Sequence, residues 1–206
     1  MYKVFVDNIP IYFEKEMNFY SNLPNKYFPV LAPEKYNNLV KHVNSLDKNN
    51  KIIVQSSNPN STLRTFFSDF KYLEASGGLV HNPLENKYLF IKRNGFWDIP
   101  KGKIEKGEDK EDAAVRELQE ECGFNEIVLK ELITETYHTY FAHGKHHLKK
   151  TYWYSMESTD IKNLTPQVEE GITELIWLTQ THWDVIRNNT FKTIEVVLNA
   201  FLKTNP

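Results

Sequence analysis

Two patterns of apolar positions follow one another along the first third of the chain. Apolar residues on either side of Asp7 and Asn8 predict a short hairpin or two adjacent strands within Val4–Phe13. Apolar residues three and four positions apart between Pro33 and Leu46 predict an amphipathic helix. The change from short apolar runs to helical spacing indicates that this part combines strands with helices.

The remainder of the N-terminal part continues this alternation. Lys51–Gln55 predicts a short buried strand. Either Ser61 or Thr62 is expected to cap a second helix, since short hydroxyl side chains are favoured at that position. The apolar face of this helix carries Leu63, Phe66, Phe67 and Phe70. We therefore expect residues 1–71 to form a small N-terminal α/β appendage.

From residue 72 onward, short apolar strands alternate with loops and helices. Asp109–Cys122 predicts a helix that ends at Gly123, which suits a C-terminal cap. Thr181–Leu202 predicts a last helical segment, whose apolar stripe consists of Phe191, Ile194, Val197, Leu198 and Phe201. Strands are predicted at Leu79-Val80, Tyr88–Ile91, Ile127–Phe141, Leu148–Met156 and Thr173–Leu178. We expect residues 72–206 to form the main α/β domain.

Composition and charge narrow the class of function. The chain has 206 residues, 25 of them basic and 27 acidic, so its formal net charge of −2 gives no overall positive field. This balance argues against nucleic acid and anionic lipid as partners. No apolar run approaches the roughly 20 residues that span a bilayer, so we expect no membrane association. A single cysteine, Cys122, and a start unlike a signal peptide favour a cytoplasmic protein.

The helix predicted at Asp109–Cys122 carries three carboxylates on one face. At about 100° per residue, Glu117, Glu120 and Glu121 fall within an arc of about 100°. Like charges at this spacing cost about 0.2 to 0.5 kcal/mol per pair, and acidic groups in a last turn oppose the helix dipole. A bound divalent cation would compensate both effects. Oxygen ligands favour Mg²⁺, with Mn²⁺ as a substitute.

The surrounding residues strengthen this interpretation. They match the spacing G-x5-E-x7-R-E-U-x-E-E-x-G-U, in which U is a bulky apolar residue. At typical residue frequencies, seven fixed identities coincide by chance on the order of once in 10⁸ to 10⁹ starting points. The matching residues are Gly102, Glu108, Arg116, Glu117, Leu118, Glu120, Glu121, Gly123 and Phe124. The chain therefore resembles the Nudix hydrolases, whose shared motif, the Nudix box, corresponds here to Gly102–Phe124.

This resemblance implies a fold, a reaction and a set of site residues. The fold is an α/β/α sandwich with a mixed sheet, and the reaction is hydrolysis of a nucleoside diphosphate linked to another group. Arg116 would orient a carboxylate, and Glu108 would support the loop or the metal cluster. The metal site would consist of Glu117, Glu120, Glu121 and Gly102.

The general base of the reaction has more than one candidate. Crowding of like charges raises the pKa of one carboxyl group, so Glu121 is one of them. Family members differ here, and several place the base on a loop outside the box. The candidates are then Glu169, Glu170 and Glu174. Of these we choose Glu170, which joins Arg116, Glu120 and Glu121 as the predicted catalytic residues. The alternative is that all three candidates belong to a solvated acidic loop.

Substrate contacts are predicted on both sides of the box. Lys101 and Lys103 suit phosphate groups, and the loop from Trp97 to Lys103 resembles those of family members that act on dinucleoside polyphosphates. Alternation places Lys150, Tyr152 and Tyr154 on one side of a strand. Tyr140, Lys150 and Tyr152 are the further candidates for substrate binding. For each of them, packing or ordinary solvation is the competing interpretation.

Two classes of function fit this sequence. The first is a Mg²⁺-dependent pyrophosphohydrolase whose substrate is a small nucleotide, with a dinucleoside polyphosphate as the best guess. The second is a Nudix-fold sensor or interaction protein that binds a nucleotide metabolite without hydrolysing it, against which the complete set of box carboxylates argues. A hydrolase of RNA 5′ ends is a further option. The appendage is expected to cover the active site, form a homodimer interface or bind a partner.

Overall fold

The described part of the chain forms two compact units. The computed structural model describes residues 1–6, 8–15, 52–160 and 164–205. Unit 1 comprises Met1–Tyr72 and Tyr137–Lys149, and unit 2 comprises Leu73–Thr136 and Lys150–Pro206. The chain thus divides at Tyr72 and again within a later hairpin, whose tip belongs to unit 1. The domain division at residue 71 stays a prediction, and the helix predicted between Pro33 and Leu46 lies outside the described residues.

Unit 1 contains three short strands and a helix. Strand β1 (Tyr2–Val6) pairs antiparallel with β2 (Ile9–Lys15), and β2 pairs parallel with β3 (Ile52–Ser56). The edge of β1 pairs parallel with Tyr137 and His138 of the later hairpin, so this sheet is mixed. Both strands predicted within Val4–Phe13 and the strand predicted at Lys51–Gln55 are confirmed within a residue or two of their ends.

The helix of unit 1 begins earlier than predicted. Helix α1 spans Pro59–Phe66, and its cap is Asn58, whose side-chain Oδ1 accepts a hydrogen bond from the Ser61 amide at 3.1 Å. The expected cap at Ser61 or Thr62 is therefore wrong. Proline is favoured at the first helical position because its ring fixes a helical φ and its missing N–H is not needed there. Asn58-Pro59 is the stronger start signal.

Unit 2 is built on a sheet whose strand order is β10-β5-β4-β9-β8. Strand β6 pairs with β5 and β7 pairs with β4, both antiparallel. Strands β8 and β9 form the hairpin that passes from unit 2 into unit 1. The strands are β4 (Lys71–Asn82), β5 (Lys87–Arg93), β6 (Phe96–Asp98), β7 (Lys101–Lys103), β8 (Val128–Ala142), β9 (Lys145–Glu157) and β10 (Ile172–Leu178).

Helices cover both faces of this sheet. Helix α2 (Lys110–Cys122) packs Leu118 against Val80 on one face, and α4 (Lys192–Thr204) packs Leu198 near Leu79 on the other. Leu79 and Val80 point to opposite faces because side chains alternate along a strand. A short helix, α3 (Asp184–Arg187), precedes α4. This arrangement is the predicted α/β/α sandwich.

The helical segment predicted at Thr181–Leu202 is interrupted between α3 and α4. Phe191 is the N-cap residue of α4 and is 37% exposed, so its assignment to the apolar stripe is wrong. The cause is hydrogen bonding to β6. Trp97 donates its amide to the Asn189 carbonyl at 2.9 Å, and the Thr190 hydroxyl donates to the Trp97 carbonyl at 2.6 Å. The remaining stripe residues Ile194, Val197, Leu198 and Phe201 are buried as predicted.

Within the described residues, no helix combines the length and the apolar character that crossing a bilayer requires.

Leu118 anchors α2 on the sheet, and this gives a test of the packing. It is completely buried, whereas Leu84 is 78% exposed. Leu118→Ala should lower the free energy of unfolding by about 2 to 5 kcal/mol, because it leaves a cavity in a packed core. Leu84→Ala, the matched control, should change it by less than about 0.5 kcal/mol. Urea denaturation measures both, and equal effects would contradict the described packing of α2.

Candidate active site

Helix α2 ends at a loop that its own last carbonyls hold in place. Gly123 adopts φ 77°, the left-handed conformation that favours glycine, and its amide donates to the Gln119 carbonyl at 2.8 Å. The amides of Thr165 and Gln167 donate to the carbonyls of Cys122 and Glu121, each at 3.0 Å. Carbonyl groups left over at the helix end are thereby satisfied. The loop that carries Glu170 is consequently fastened to the end of α2.

Arg116 connects three carboxylates at the exposed side of α2. Its guanidinium donates to both carboxylate oxygens of Glu108, at 2.7 and 2.9 Å. It also donates to Glu117 and to Glu120, each at 2.9 Å, and to the Lys103 carbonyl at 3.0 Å. The predicted role of Arg116 in orienting a carboxylate agrees with these contacts, and the role itself stays a prediction.

The contacts of Glu108 lower its pKa strongly. Hydrogen bonds from Arg116, followed by one from the Glu105 amide at 2.8 Å, lower the pKa of Glu108 from 4.5 to about 2. Both donors favour the ionised carboxylate. Glu108 therefore ties the loop before α2 to the guanidinium of Arg116, in agreement with the supporting role that the resemblance implies.

Gly102 lies directly under the carboxylate of Glu117. A Cβ at residue 102 would stand 1.8 Å from Oε2 of Glu117, so only glycine fits without displacing that carboxylate. Glu117 is half-buried, and burial raises its pKa while the hydrogen bond from Arg116 opposes the rise. Gly102 and Glu117, both predicted members of the metal site, are thus in direct contact.

Glu121 is the most buried of the acidic residues on α2. Its side chain is only 2% exposed, and its Oε2 accepts the Lys101 amide at 2.9 Å. Its Oε1 accepts from Nη1 of Arg93, also at 2.9 Å. Desolvation raises the pKa of Glu121 to about 7, against the opposing charges of Lys101 and Arg93. Glu121 therefore does not belong to a solvated helix surface.

Arg93 is the site residue that the sequence did not reveal. It ends β5, and its Nη2 contacts the Glu170 carboxylate while Nη1 holds Glu121. One guanidinium thus joins the last turn of α2 to the loop that precedes β10. The basic residue at the end of an apolar strand was a signal in the sequence, but nothing there indicated which carboxylates it would meet.

Lys101 and Lys103, the lysines on either side of Gly102, have different surroundings. Lys101 is 9% exposed, and its ammonium forms a buried ion pair with Asp98. It also lies 5.9 Å from the ring centroid of Trp153. Lys103 is exposed, and its backbone carbonyl accepts a hydrogen bond from Arg116. Of the two predicted phosphate contacts, Lys103 is the more accessible. Trp97, which begins the predicted loop that ends at Lys103, is 7% exposed and packs in the core.

Lys150 and Tyr152 meet near the first turn of α2. The Lys150 ammonium lies 4.1 Å from the Tyr152 ring centroid and 2.9 Å from a carboxylate oxygen of Glu135. The Tyr152 hydroxyl donates to Glu74 at 2.8 Å. Tyr140 belongs to unit 1, where its ring stacks on His147 with 4.9 Å between centroids. The structure thus brings two of these three predicted substrate contacts together within unit 2.

The three acidic residues proposed as alternative bases, Glu169, Glu170 and Glu174, have different contacts. Glu170 contacts Arg93, whereas Glu174 lies 3.5 Å from the ammonium of Lys92. Lys92 and Arg93 are neighbours on one strand and point to opposite faces. Glu174 is therefore on the face of β5 away from Glu121. Glu169 is exposed on the loop.

The donor set of this site suits a hard divalent cation. In the part of the chain that the structure describes, no three acidic, histidine or cysteine side chains converge on one point as a finished metal site. The carboxylates are instead paired with two guanidinium groups, those of Arg93 and Arg116. Five carboxylates share the positive charges of these two arginines, so the cluster keeps an excess of negative charge. Oxygen ligands with excess negative charge fit Mg²⁺ or Mn²⁺.

The ion pair between Glu108 and Arg116 predicts a pH dependence of stability. Because the pKa of Glu108 is lowered on folding, its ionised form stabilises the fold above about pH 4.5, and this contribution is lost as the pH falls toward 2. Urea denaturation should find Glu108→Gln less stable than the wild type at about pH 6. The difference should shrink steadily from about pH 5 to pH 3, and a constant difference over that range would contradict the pairing.

Comparison with known proteins places this geometry in a family. The model of the NUDIX domain matches residues 71–192, which is more than half of the chain. An 8-oxo-dGTP diphosphatase of Proteus vulgaris is 36% identical over 62 residues, which cover 28% of this chain and 55% of that protein. A Bacillus subtilis protein named for the same activity is 49% identical over 39 residues, 18% of this chain and 26% of that protein. The chain thus spans about a quarter to a half of the lengths of these relatives.

A solved structure gives the fold independently. The MutT protein of Methanosarcina mazei superposes with a TM-score of 0.51 at 18% sequence identity, over 66% of this chain and 97% of that one. At this identity the likeness concerns the fold alone, and it agrees with the sandwich of unit 2. The family model, the box at Gly102–Phe124 and this fold lead to one conclusion. The chain belongs to the Nudix family.

Proposed function

We propose that this protein is a pyrophosphohydrolase that uses Mg²⁺, with Mn²⁺ as a substitute, to cleave a phosphoric anhydride bond in a nucleoside diphosphate derivative. The observation that supports this proposal most directly is the acidic end of α2. The buried carboxylate of Glu121 lies there near Glu117 and Glu120, whose charges arginine neutralises only in part. Acidic side chains in the last turn destabilise a helix. Residues that break a local rule in this way are expected at functional sites.

The proposed roles follow from the contacts of each residue. Glu117, Glu120 and Glu121 would hold the cation together with the backbone at Gly102. A bound divalent cation neutralises phosphate oxygens and lowers the pKa of a bound water. Arg116 holds Glu117 and Glu120 in place through its two hydrogen bonds at 2.9 Å. The Lys101 amide fixes one oxygen of Glu121 at 2.9 Å.

Glu170 is the general base in this proposal. It lies on an exposed loop and is 47% exposed, so its carboxylate can take a proton from an attacking water. Glu121 is less suited because both of its oxygens already accept hydrogen bonds. Arg93 contacts both Glu170 and Glu121, and this supports a general base beside the proposed cation ligands.

A dinucleoside polyphosphate is the substrate that we propose first. Exposed Lys103 lies at the start of the box, and Lys150 with Tyr152 offers a cation and an aromatic ring near the start of α2. Polyphosphates attract ammonium groups, and purines stack on aromatic rings. An oxidised purine nucleoside triphosphate is the second candidate, because the Proteus vulgaris relative is named for 8-oxo-dGTP.

The carboxylates of α2 give the first test. Glu120→Gln and Glu121→Gln should remain folded and lose at least about 100-fold in turnover, since metal and base contributions are of that order or larger. Glu195→Gln is the matched control, because Glu195 pairs with Lys192 on α4. It should keep turnover within about twofold of the wild type. Unchanged turnover in both α2 variants would refute the assigned site.

The substrate class is tested by product identification in a Mg²⁺-supplemented screen. Diadenosine tetraphosphate and one water should yield AMP and ATP, separated by chromatography. Hydrolysis of 8-oxo-dGTP to its monophosphate and pyrophosphate, with diadenosine tetraphosphate untouched, would favour the second candidate. Binding of nucleotides without any hydrolysis would favour a sensor, and would contradict the proposed reaction.

A further inference from the structure

Arg93 is held in a defined position by its backbone. It pairs with Phe96 across a tight turn, in which Asn94 and Gly95 have positive φ values of 50° and 84°. On the other side it pairs with Ile172 of β10. The Asn94 amide donates to the Gly171 carbonyl at 3.0 Å, which fastens the turn to the end of the acidic loop. The side chain of Arg93 therefore leaves the sheet from a rigid point.

The guanidinium of Arg93 uses separate nitrogens for two carboxylates. Nη1 donates to Oε1 of Glu121 at 2.9 Å, and Nη2 contacts Oε2 of Glu170. Glu121 is 2% exposed and Glu170 is 47% exposed, so the fork joins a buried group to an accessible one. A buried carboxylate needs a paired charge to remain ionised. Arg93 supplies that charge and at the same time fixes the loop that carries Glu170.

A divalent cation on Glu121 would meet this guanidinium. Oε2 of Glu121 accepts the Lys101 amide and Oε1 accepts Arg93, so a cation must approach oxygens that are already engaged. Guanidinium and cation both neutralise the same carboxylate, and like charges at such a site repel each other. Occupancy of Glu121 by one therefore disfavours contact with the other.

We propose that Arg93 is a positioning residue that holds Glu170 against Glu121 and competes with the catalytic cation for the Glu121 carboxylate. This inference rests on the proposed function of the site. It assigns to a strand residue outside the box an effect on both metal affinity and the placement of the base. By linkage, the cation and the Arg93 contact weaken each other by the same factor.

The test measures Mn²⁺ binding to protein stripped with EDTA, using electron paramagnetic resonance of the free ion. Arg93→Gln should bind Mn²⁺ at least about fivefold more tightly than the wild type, since a coupling of this size is typical between linked sites. Its melting temperature in EDTA should lie below that of the wild type, and saturating Mn²⁺ should narrow the gap. A variant that folds only with Mn²⁺ present supports the proposal as well. A merely structural arginine would lower both melting temperatures equally.

Two further variants keep the outcome decisive. Lys92→Gln removes a neighbouring positive charge that pairs with Glu174 on the opposite face, and should change the Mn²⁺ affinity by less than about twofold. Arg93→Lys keeps the charge but loses the fork. It should bind Mn²⁺ at least about twofold more tightly than the wild type. If Arg93→Gln does not fold, the Mn²⁺ affinity of Arg93→Lys tests the competition for Glu121 in its place.

The possible results separate the two proposals. If the wild type does not bind Mn²⁺, the proposed function itself is contradicted. If the wild type binds Mn²⁺ and the folded Arg93 variants bind it equally or more weakly, the competition is contradicted and the proposed function stands. If the Lys92 and Arg93 variants tighten binding equally, a general field effect replaces the role assigned to Arg93.

Discussion

Electrostatic repulsion within the last turns of α2 is the constraint on which the site depends. Glu117, Glu120 and Glu121 lie within five residues of one another, at the end of a helix where negative charge is disfavoured. Two arginines from different parts of the chain balance this repulsion. Arg116 does so from the helix itself, and Arg93 from a strand that packs beside it. The acidic face persists because tertiary contacts compensate what the helix alone would not tolerate.

The fold brings these compensating groups together from distant segments. Strand β5 ends at Arg93, β7 supplies the Lys101 amide, and the loop before β10 is fastened to the last carbonyls of α2. Gly102 leaves room for Glu117, because any side chain there would collide with its carboxylate. The site is thus assembled from backbone positions that are each fixed by a strand, a helix end or a tight turn. Rigid placement of this kind is what a hydrolytic site requires.

Much of this arrangement was accessible from the sequence, because it depends on local spacing. The box identified the family, and the helix with its Gly123 cap follows from periodicity and from glycine's freedom at positive φ. Most strands of both units likewise follow from runs of apolar residues, and their ends lie within about three residues of the predicted ones. Strand β4 begins at Lys71, well before the predicted Leu79, and the short strands β6 and β7 were not predicted.

Other features depend on contacts between residues that are distant in the chain, and these contacts could not be predicted from the sequence. Arg93 is an ordinary basic residue at the end of β5, and only the pairing of strands brings it to Glu121. Lys101 suits a phosphate by composition, yet Asp98 and burial engage its ammonium. Phe191 fits the stripe of α4 by spacing, but the hydrogen bonds of Asn189 and Thr190 to neighbouring residues 95 and 97 start the helix after it.

The central claim is that these acidic side chains are held together to bind a divalent cation. Anomalous diffraction at the manganese edge, from crystals of the wild type soaked in Mn²⁺ with a non-hydrolysable nucleotide, tests it most directly. The account predicts an anomalous peak within coordination distance of carboxylate oxygens of Glu117, Glu120 and Glu121. Ordered nucleotide with no anomalous peak at the acidic end of α2, or a peak only elsewhere, would contradict it.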